Sequence, residues 1–465
     1  MPETPRLRRL APAALTAVLL LAVAACGPEH PNSIFHSRTE FNRDIRTLFN
    51  PLFLFGTIVF VLVWALLIWT LIKYRRREGA PEPKHVHGNT TLEILWTVIP
   101  ALILAFIAVP TVRTIFRTQA KAQANALQVE VIGHQWWWEF RYPQYGIVTA
   151  NELYLPIGRT VSFSLRTQDV IHSFGIPALA GTRDLVSNHT NFIWFTPDSA
   201  GTEALNGFCR EYCGASHANM RFKVFTVASG DFEQWARHTA SPAVYGATAP
   251  QGGVPGSAAT GAPTAPPTAN TSAANVANAQ ATAAGTGTPG TVQAPNAVPT
   301  GTGTAPGAAP GTAADQHAGH GVSQAGYVSF PKEKLPGHFV PQTPVPAGLA
   351  YDETMKGDAA RGMALYSRSS CIGCHAIKGN PVSLSNVGPN LTHIGSRTTI
   401  AAGQYPNDTK HLAMWIKNSR AMKPGVIMPT LGKGQVDPIT KQRVTTGGLD
   451  DQQIADIVAY LQSLK

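Results

Sequence analysis

The chain has five cysteines in three groups, and two of these groups lie in patterns that could hold a metal ion or a haem. Cys209, Cys213, His217 and Met220 place two thiols, an imidazole and a thioether within twelve residues. Such soft ligands favour copper over hard cations, and zinc has little use for methionine. A disulfide between Cys209 and Cys213 is the competing interpretation, because exported proteins mature in oxidising compartments. The spacing favours a metal but leaves both readings open.

The second group is Cys371-Ile-Gly-Cys374-His375, which has the Cys-x-x-Cys-His form of c-type haem attachment. The two thiols would form thioethers to the haem vinyl groups, and His375 would ligate the iron. A thioredoxin-type redox pair is the alternative, but the adjacent histidine and the lack of a βαβ pattern disfavour it. The motif therefore predicts a covalently bound haem c.

The segments around this motif predict a small helical domain. Helical patterns cover residues 357–366 and 449–464, and Val387-Gly-Pro-Asn-Leu391 follows the haem motif. This arrangement resembles the class I cytochromes c, which implies an all-α domain at residues 346–465. By the same resemblance Met428 is the axial methionine, and a thioether ligand raises the haem potential. Met414 and Met422 lie on a predicted helix and are expected to pack instead.

The residues before the copper-type motif predict a β domain. Short β-rich runs begin at Leu127, Thr160 and Phe222, with Gly and Pro between them. Strands at this spacing are typical of an antiparallel sandwich or barrel.

The pattern Cys-x-Glu-x-Cys-Gly-x-x-His-x-x-Met, with the upstream segment Asp169-Val-Ile-His172-Ser-Phe174, resembles the binuclear copper site of cytochrome c oxidase subunit II. The resemblance implies a cupredoxin-like β-sandwich at residues 121–240. In that family the two cysteines bridge two coppers. The implied ligands of this chain are His172, Cys209, the carbonyl of Glu211, Cys213, His217 and Met220.

Other positions follow from the same resemblance. Trp136, in Gly133-His-Gln-Trp136-Trp-Trp138, matches the tryptophan through which electrons reach the copper site. The three tryptophans cannot all face one side of a strand, so at least one is expected in the core. Asp184 and the Glu211 side chain match positions near a magnesium site facing subunit I. Thr182 and Ser187-Asn-His189 depart from the family pattern, which puts the detailed subunit I contacts in doubt.

The N-terminal part predicts a helical hairpin in a membrane. Residues 52–72 and 92–112 are apolar runs long enough to span a hydrocarbon core of about 30 Å. The basic residues between them, Lys73, Arg75, Arg76, Arg77 and Lys84, indicate a cytoplasmic loop, so both chain ends face outward.

Glu93 lies at the start of the second apolar run. A helix-capping carboxylate is one interpretation, and a proton-transfer group facing a partner helix is the other. The surrounding Leu92-Glu-Ile-Leu-Trp-Thr97 resembles the second span of subunit II, whose glutamate opens a proton pathway into subunit I.

The first 26 residues have the form of an export signal. Arg6, Arg8 and Arg9 precede an apolar stretch at residues 10–23, and Val23-Ala-Ala-Cys26 resembles a lipoprotein cleavage box. A signal peptide at residues 1–25 and a lipid anchor at Cys26 are therefore expected. An uncleaved signal anchor is the alternative.

Composition separates the two soluble domains. Residues 241–314 contain no charged side chain and consist mostly of Ala, Gly, Pro and Thr. We expect a disordered linker at residues 241–345, because such a segment cannot bury a core. His317 and His320 near its end could capture copper, although a solvated polar end is the simpler reading.

Charge and composition exclude some functions. Only 14% of residues are charged, which disfavours a purely cytosolic enzyme, and the net charge is +10. The largest excess, +7, lies in residues 1–126 beside the apolar runs. Basic residues in this position are typical of segments that orient a protein in a membrane, so the positive charge does not indicate nucleic-acid binding.

Together these segments resemble subunit II of a cytochrome-c-fused haem–copper oxidase, with the N-terminal segment and hairpin at residues 26–120. The resemblance implies partnership with subunits I and III in a bacterial inner membrane. An external cytochrome c or other donor would supply electrons, and subunit I would reduce oxygen to water and translocate protons. A copper-containing nitric oxide reductase and a membrane-tethered copper carrier are the alternatives. Quinol-oxidising relatives lack the copper cysteines.

Overall fold

The computed structural model describes residues 32–243 except 36, 77–78, 80–86 and 202–203, and also residues 342–465. The predicted signal peptide, Cys26, and nearly all of the predicted linker with His317 and His320 lie outside the described residues.

Two long helices form the predicted hairpin. Helix α1 spans Glu40–Lys73 and helix α2 spans Thr90–Gln119. The Thr39 hydroxyl accepts a hydrogen bond from the Asn42 amide, and the Asn89 side chain accepts one from the Leu92 amide. Because four amides at a helix start have no partner within the helix, these caps fix where both helices begin. Both helices are long and apolar enough to cross a membrane, and their apolar side chains are exposed in the isolated chain.

Two five-stranded sheets pack face to face in the next domain, which we call the sandwich domain (residues 127–240). The strands are β1 Leu127–His134, β2 Trp137–Tyr142, β3 Ile147–Ala150, β4 Glu152–Pro156, β5 Val161–Thr167, β6 His172–Gly175, β7 Thr182–Leu185, β8 Asn191–Phe195, β9 Leu205–Cys209 and β10 Arg221–Val227. One sheet has the strand order β3-β2-β1-β5-β8 and the other β4-β10-β9-β6-β7.

Most strand pairs are antiparallel, as expected, but two are not. Strand β1 pairs in parallel with β5, and β4 pairs in parallel with β10. The strands themselves were predictable from alternation, because buried side chains alternate with half-buried ones along most of β5. Strand direction depends on long-range pairing, which alternation does not encode.

Aromatic side chains fill the space between the sheets. Trp138, Phe174 and Phe222 are fully buried, with ring centroids 5.1 to 5.7 Å apart. Helix α3, Ser229–Ala240, closes one end by stacking Trp235 on Tyr154 at 4.6 Å. This packing gives a rigid frame for the loops that leave β6 and β9.

The C-terminal domain (residues 342–465) is helical, as predicted. Its helices are α4 Ala359–Tyr366, α5 Thr409–Met422 and α6 Asp451–Ser463, with short strands β11 Thr399–Ile400 and β12 Tyr405–Pro406. Helices α4 and α6 cross closely at Gly362, where an added Cβ would lie 1.9 Å from the Asp456 carbonyl oxygen. The Arg361 guanidinium also donates two hydrogen bonds of 2.9 Å to the buried Asp456 carboxylate. This crossing frames one side of the cleft described below.

The sandwich domain and the C-terminal domain pack against each other within one compact unit. The segment after α3 runs along the C-terminal domain, where the Ala243 amide donates to the Lys378 carbonyl at 2.9 Å. Nearby, the His238 and His393 rings lie 4.7 Å apart, and burial lowers the pKa of both imidazoles. Two histidines from different domains thus lie in contact at a partly buried position.

Candidate metal centres

Two reduced thiols lie side by side at one end of the sandwich domain. Cys209 is the last residue of β9, and Cys213 lies in the loop that follows. Their sulfur atoms are 3.7 Å apart, and both cysteines are free and buried. The Glu211 carbonyl oxygen is 3.2 Å from the Cys209 sulfur. The two sulfur atoms are therefore not bonded to each other in this structure.

Two imidazoles and a thioether approach the same sulfur atoms. His172 Nδ1 lies 3.8 Å from Cys209 Sγ, and His217 Nδ1 lies 3.6 Å from Cys213 Sγ. Met220 Sδ is 3.9 Å from Cys213 Sγ. His172, Cys209 and Cys213 alone place three potential ligand atoms within 4.8 Å of one another. Strands β6 and β9 bring His172 to the others, since their pairing sets Phe174 opposite Cys209.

The protonation of the thiols fits a metal site. The hydrogen bond between the two thiols lowers the pKa of Cys209 and raises the pKa of Cys213, which favours one thiolate and one thiol in the pair. Thiolate is the form that binds metal, so binding would release the remaining proton. The chemistry of this donor set fits copper.

Asp169 orients the first of these histidines. Its Oδ1 lies 2.7 Å from His172 Nε2, which leaves Nδ1 to face the thiols. Burial opposes ionisation, but the hydrogen bonds from His172 and from the Gln135 amide lower the pKa of Asp169 below its usual value. A carboxylate behind a metal-ligating histidine fixes its tautomer. No role for Asp169 was predicted from the sequence. Its position three residues before His172 was the signal that could have indicated one.

The three consecutive tryptophans have three different environments. Trp138 is fully buried in the core, as expected for at least one of them. Trp137 stacks on His134 with ring centroids 4.0 Å apart. Trp136 is 8% exposed, and its Nε1 donates a hydrogen bond of 2.9 Å to the Cys213 carbonyl. Trp136 is thus joined directly to a cysteine of the thiol pair.

A cleft in the C-terminal domain gathers the residues of the haem motif. Cys371, Cys374, His375 and Met428 line it together with mostly apolar side chains. His375 Nδ1 lies 2.8 Å from the Pro389 carbonyl, which leaves Nε2 as the free nitrogen. Burial lowers the pKa of His375, so the imidazole stays neutral, as an iron ligand must be. The apolar walls and this donor set fit a haem.

The three methionines near the cleft differ in position. Met428 lines the cleft, whereas Met414 and Met422 are 1% and 4% exposed in the hydrophobic core. The Ser419 hydroxyl donates to the Met428 carbonyl at 2.8 Å, which holds the backbone of this loop. Position alone therefore favours Met428 as the axial ligand.

Replacing Met428 with alanine is expected to abolish a methionine-ligated haem spectrum. The reduction potential of the haem should fall by on the order of 0.1 V, because a thioether ligand stabilises the reduced iron. Optical spectroscopy and redox titration of the purified protein check both effects. Met422→Leu serves as the control and should preserve the spectrum; the opposite pattern would assign the ligand to Met422.

The remaining predicted positions lie on exposed surfaces. The Glu93 carboxylate accepts a hydrogen bond from the Asn89 amide at 3.2 Å and so caps α2. Asp184 is exposed on β7, and the Glu211 carboxylate accepts a hydrogen bond from the Tyr212 amide. The structure thus shows the capping role of Glu93, while proton transfer and magnesium binding stay predictions.

Comparison with known proteins identifies the family to which this chain belongs. The profile of the cytochrome c oxidase subunit II transmembrane domain matches residues 35–114, that of its periplasmic domain matches residues 147–227, and that of cytochrome c matches residues 359–465. The probable cytochrome c oxidase subunit 2 of Rickettsia bellii is 32% identical over 39% of this chain and 73% of its own length. The chain belongs to the cytochrome c oxidase subunit II family.

Two further similarities accompany this assignment. Cytochrome c oxidase subunit 2 of Alkalihalophilus pseudofirmus is 28% identical over 88% of this chain and 83% of its own length. The crystal structure of the periplasmic domain of subunit II from Bradyrhizobium japonicum is 25% identical, covers 25% of this chain and 95% of that one, and has a TM-score of 0.24. As a subunit II with a cytochrome c domain, the chain is part of a haem–copper oxidase and partners subunit I. Its family implies copper in the sandwich domain and haem in the C-terminal domain.

Proposed function

We propose that the chain passes electrons from an external donor, through a covalent haem c and a binuclear copper centre, to subunit I. Subunit I then reduces oxygen to water with proton translocation. The single observation that supports this route is the position of Trp136. Its indole lines the cleft of the C-terminal domain and donates its N–H to the Cys213 carbonyl. One side chain therefore contacts both candidate centres.

The proposed copper ligands are those that the family resemblance implies, and the distances above support them. Cys209 and Cys213 would hold the coppers as thiolates and His172 and His217 as imidazoles, and Met220 and the Glu211 carbonyl would complete the set. Copper held by these residues would supply a one-electron redox site. The chain contributes a buried site with histidines held in place, for example by Asp169 at 2.7 Å from His172.

The proposed haem ligands are His375 and Met428, with thioether bonds from Cys371 and Cys374. The Pro389 carbonyl holds His375 in the required orientation. A haem attached in this way would supply a one-electron redox site in the cleft that these residues line. An external cytochrome c is the proposed donor.

Rapid mixing of the purified complex with a reduced soluble cytochrome c tests this proposal. The haem should be reduced before the copper centre, and oxygen consumption should follow. Copper reduction that precedes haem reduction would contradict the route. Turnover of nitric oxide in place of oxygen would instead support a copper-containing nitric oxide reductase, and ready exchange of copper without turnover would support a carrier.

The proposed membrane arrangement is a two-span hairpin with both soluble domains outside. Lys73, Arg75 and Arg76 at the end of α1 support a cytoplasmic loop. A lipid anchor at Cys26, contact with subunit III, and magnesium near Asp184 and Glu211 at the subunit I surface complete the proposal.

Replacing Glu93 with glutamine should slow proton uptake and oxygen turnover by roughly tenfold or more, because an amide cannot carry a proton. The amide oxygen of glutamine can still accept the hydrogen bond from Asn89, so the helix cap is preserved. Proton uptake by the reconstituted complex is the measurement. Unchanged uptake and turnover would leave Glu93 with the capping role alone.

A further inference from the structure

The contact between the sandwich domain and the C-terminal domain is built around buried charged groups. We propose that Lys423 is a positioning residue that, with Glu152, holds the C-terminal domain over Trp136. In this position the C-terminal domain prevents external proteins from contacting the tryptophan. The inference rests on the proposed function, in which electrons pass from the haem to the copper centre at Trp136. It adds that the protein surface covering Trp136 is this chain's own C-terminal domain. External donors would then deliver electrons only to the C-terminal domain.

Lys423 joins the two domains with its ammonium group. Its Nζ donates to the Trp136 carbonyl at 2.6 Å and the Asn219 carbonyl at 2.9 Å, both in the sandwich domain. A third hydrogen bond of 3.1 Å goes to the Ala401 carbonyl in its own domain. An ammonium has three donors, so all three are used. Such full pairing is what a buried charge requires.

The burial of this lysine is nearly complete. Lys423 is only 2% exposed, so its side chain is shielded from bulk water. Exposed lysines that steer a transient partner remain hydrated. Lys423 instead has exchanged water for three carbonyl groups, two of them in the sandwich domain, so its pairing depends on contact between the domains.

Glu152 provides a second point of attachment. It lies on β4 of the sandwich domain, is 4% exposed, and its Oε1 accepts hydrogen bonds from the Thr398 amide and hydroxyl, each at 2.6 Å. The Thr399 amide adds a third at 3.3 Å. Burial raises the pKa of Glu152, and the hydrogen bonds from Thr398 and the charge of the buried Arg397 oppose this shift. Two separate attachments fix the rotation of one domain on the other.

Gly425 brings the backbone of the C-terminal domain against the Trp136 ring. An added Cβ at this position would lie 2.6 Å from Trp136 Cη2, and Gly425 has a φ of +87°. The neighbouring Pro424 carbonyl accepts a hydrogen bond of 2.5 Å from the Ser216 hydroxyl. No side chain other than hydrogen fits between the loop and the indole, so the loop covers the ring directly.

Hydroxyl-radical footprinting of the purified complex measures whether Trp136 is covered. In Lys423→Met, oxidation of Trp136 should rise about tenfold or more, since a hydrogen bond to a charged group contributes at least that factor. Lys410→Met is the matched control, because Lys410 is exposed and pairs with Glu353 at 2.9 Å within its own domain. The control should leave Trp136 protected.

Electron transfer gives an independent readout. Lys423→Met should slow transfer from haem to copper by about tenfold or more while both optical spectra stay as in the wild type. Glu152→Ala, which removes the acceptor of Thr398 and Thr399, and Gly425→Ala disturb the same interface from other sides and should act in the same direction. They keep the inference testable if the lysine variant does not fold.

Unchanged footprints and transfer rates in folded Lys423→Met and Glu152→Ala would overturn the inference and leave the proposed function intact. If the wild-type complex transfers no electrons from haem to copper, the proposed function fails. Footprinting of Trp136 would still decide in that case whether the C-terminal domain covers it.

Discussion

Replacing Cys213 with serine is expected to lower the copper affinity of the sandwich domain by more than about 100-fold, while the haem content stays unchanged. Cys213 Sγ is the central atom of the candidate site. It lies 3.7 Å from Cys209 Sγ, 3.6 Å from His217 Nδ1 and 3.9 Å from Met220 Sδ. A serine hydroxyl is neither soft nor ionised at neutral pH, so it cannot replace a bridging thiolate. Copper titration against a chelator, with haem quantified on the same sample, is the measurement.

Tyr212→Phe provides the control for this experiment. Tyr212 is next to Cys213 in the same loop, but its side chain is 75% exposed. This variant should retain the wild-type copper content. A Cys213→Ser protein that holds a full complement of copper with an unaltered spectrum would refute the proposed ligand set.

Replacing Trp136 with leucine should slow electron transfer from haem to copper by about 100-fold. Displacing a group that positions two reacting centres typically lowers the rate by about this factor. The indole contributes both the hydrogen bond to the Cys213 carbonyl and the contact with the loop at Gly425. Leucine fills part of the volume but offers no donor and no π system. Time-resolved absorption after rapid reduction of the haem measures the rate.

Trp194→Phe is the control, because Trp194 lies on β8 and its Nε1 donates to the Ala120 carbonyl at 2.8 Å, in a different part of the domain. Both centres should keep their spectra in the two variants. A wild-type rate in Trp136→Leu would show that electrons take another path between the domains.

Most candidate ligands could be predicted from the sequence because they lie close together in the chain. Cys209 ends β9, Cys213, His217 and Met220 follow in the next loop, and Cys371, Cys374 and His375 lie in a second short segment. His172 and Met428 lie far from these segments, and only the family resemblance predicts them. Local spacing fixes which side chains can meet around one ion. The fold class was predictable for a similar reason, since α1, α2 and the strands follow hydropathy and alternation. The match to family profiles confirms that class.

The supporting contacts could not be predicted in this way. Asp169 is recognisable as an orienting carboxylate only once His172 is seen to offer it Nε2 at 2.7 Å. The parallel pairing of β1 with β5 was missed, because each strand alone fits either direction. Such features depend on which distant segments meet.

The sequence by itself determined the donor atoms, the order of the domains and the membrane hairpin, because ligand spacing, composition and hydropathy act over short stretches of chain. Only the tertiary structure decided that the Lys423 ammonium donates a hydrogen bond to the Trp136 carbonyl, 287 residues away in the chain. The same is true of the hydrogen bond that the Glu152 carboxylate accepts from the Thr398 amide. A buried charge is stable only where another domain supplies its partners, and no local pattern records where those partners will be.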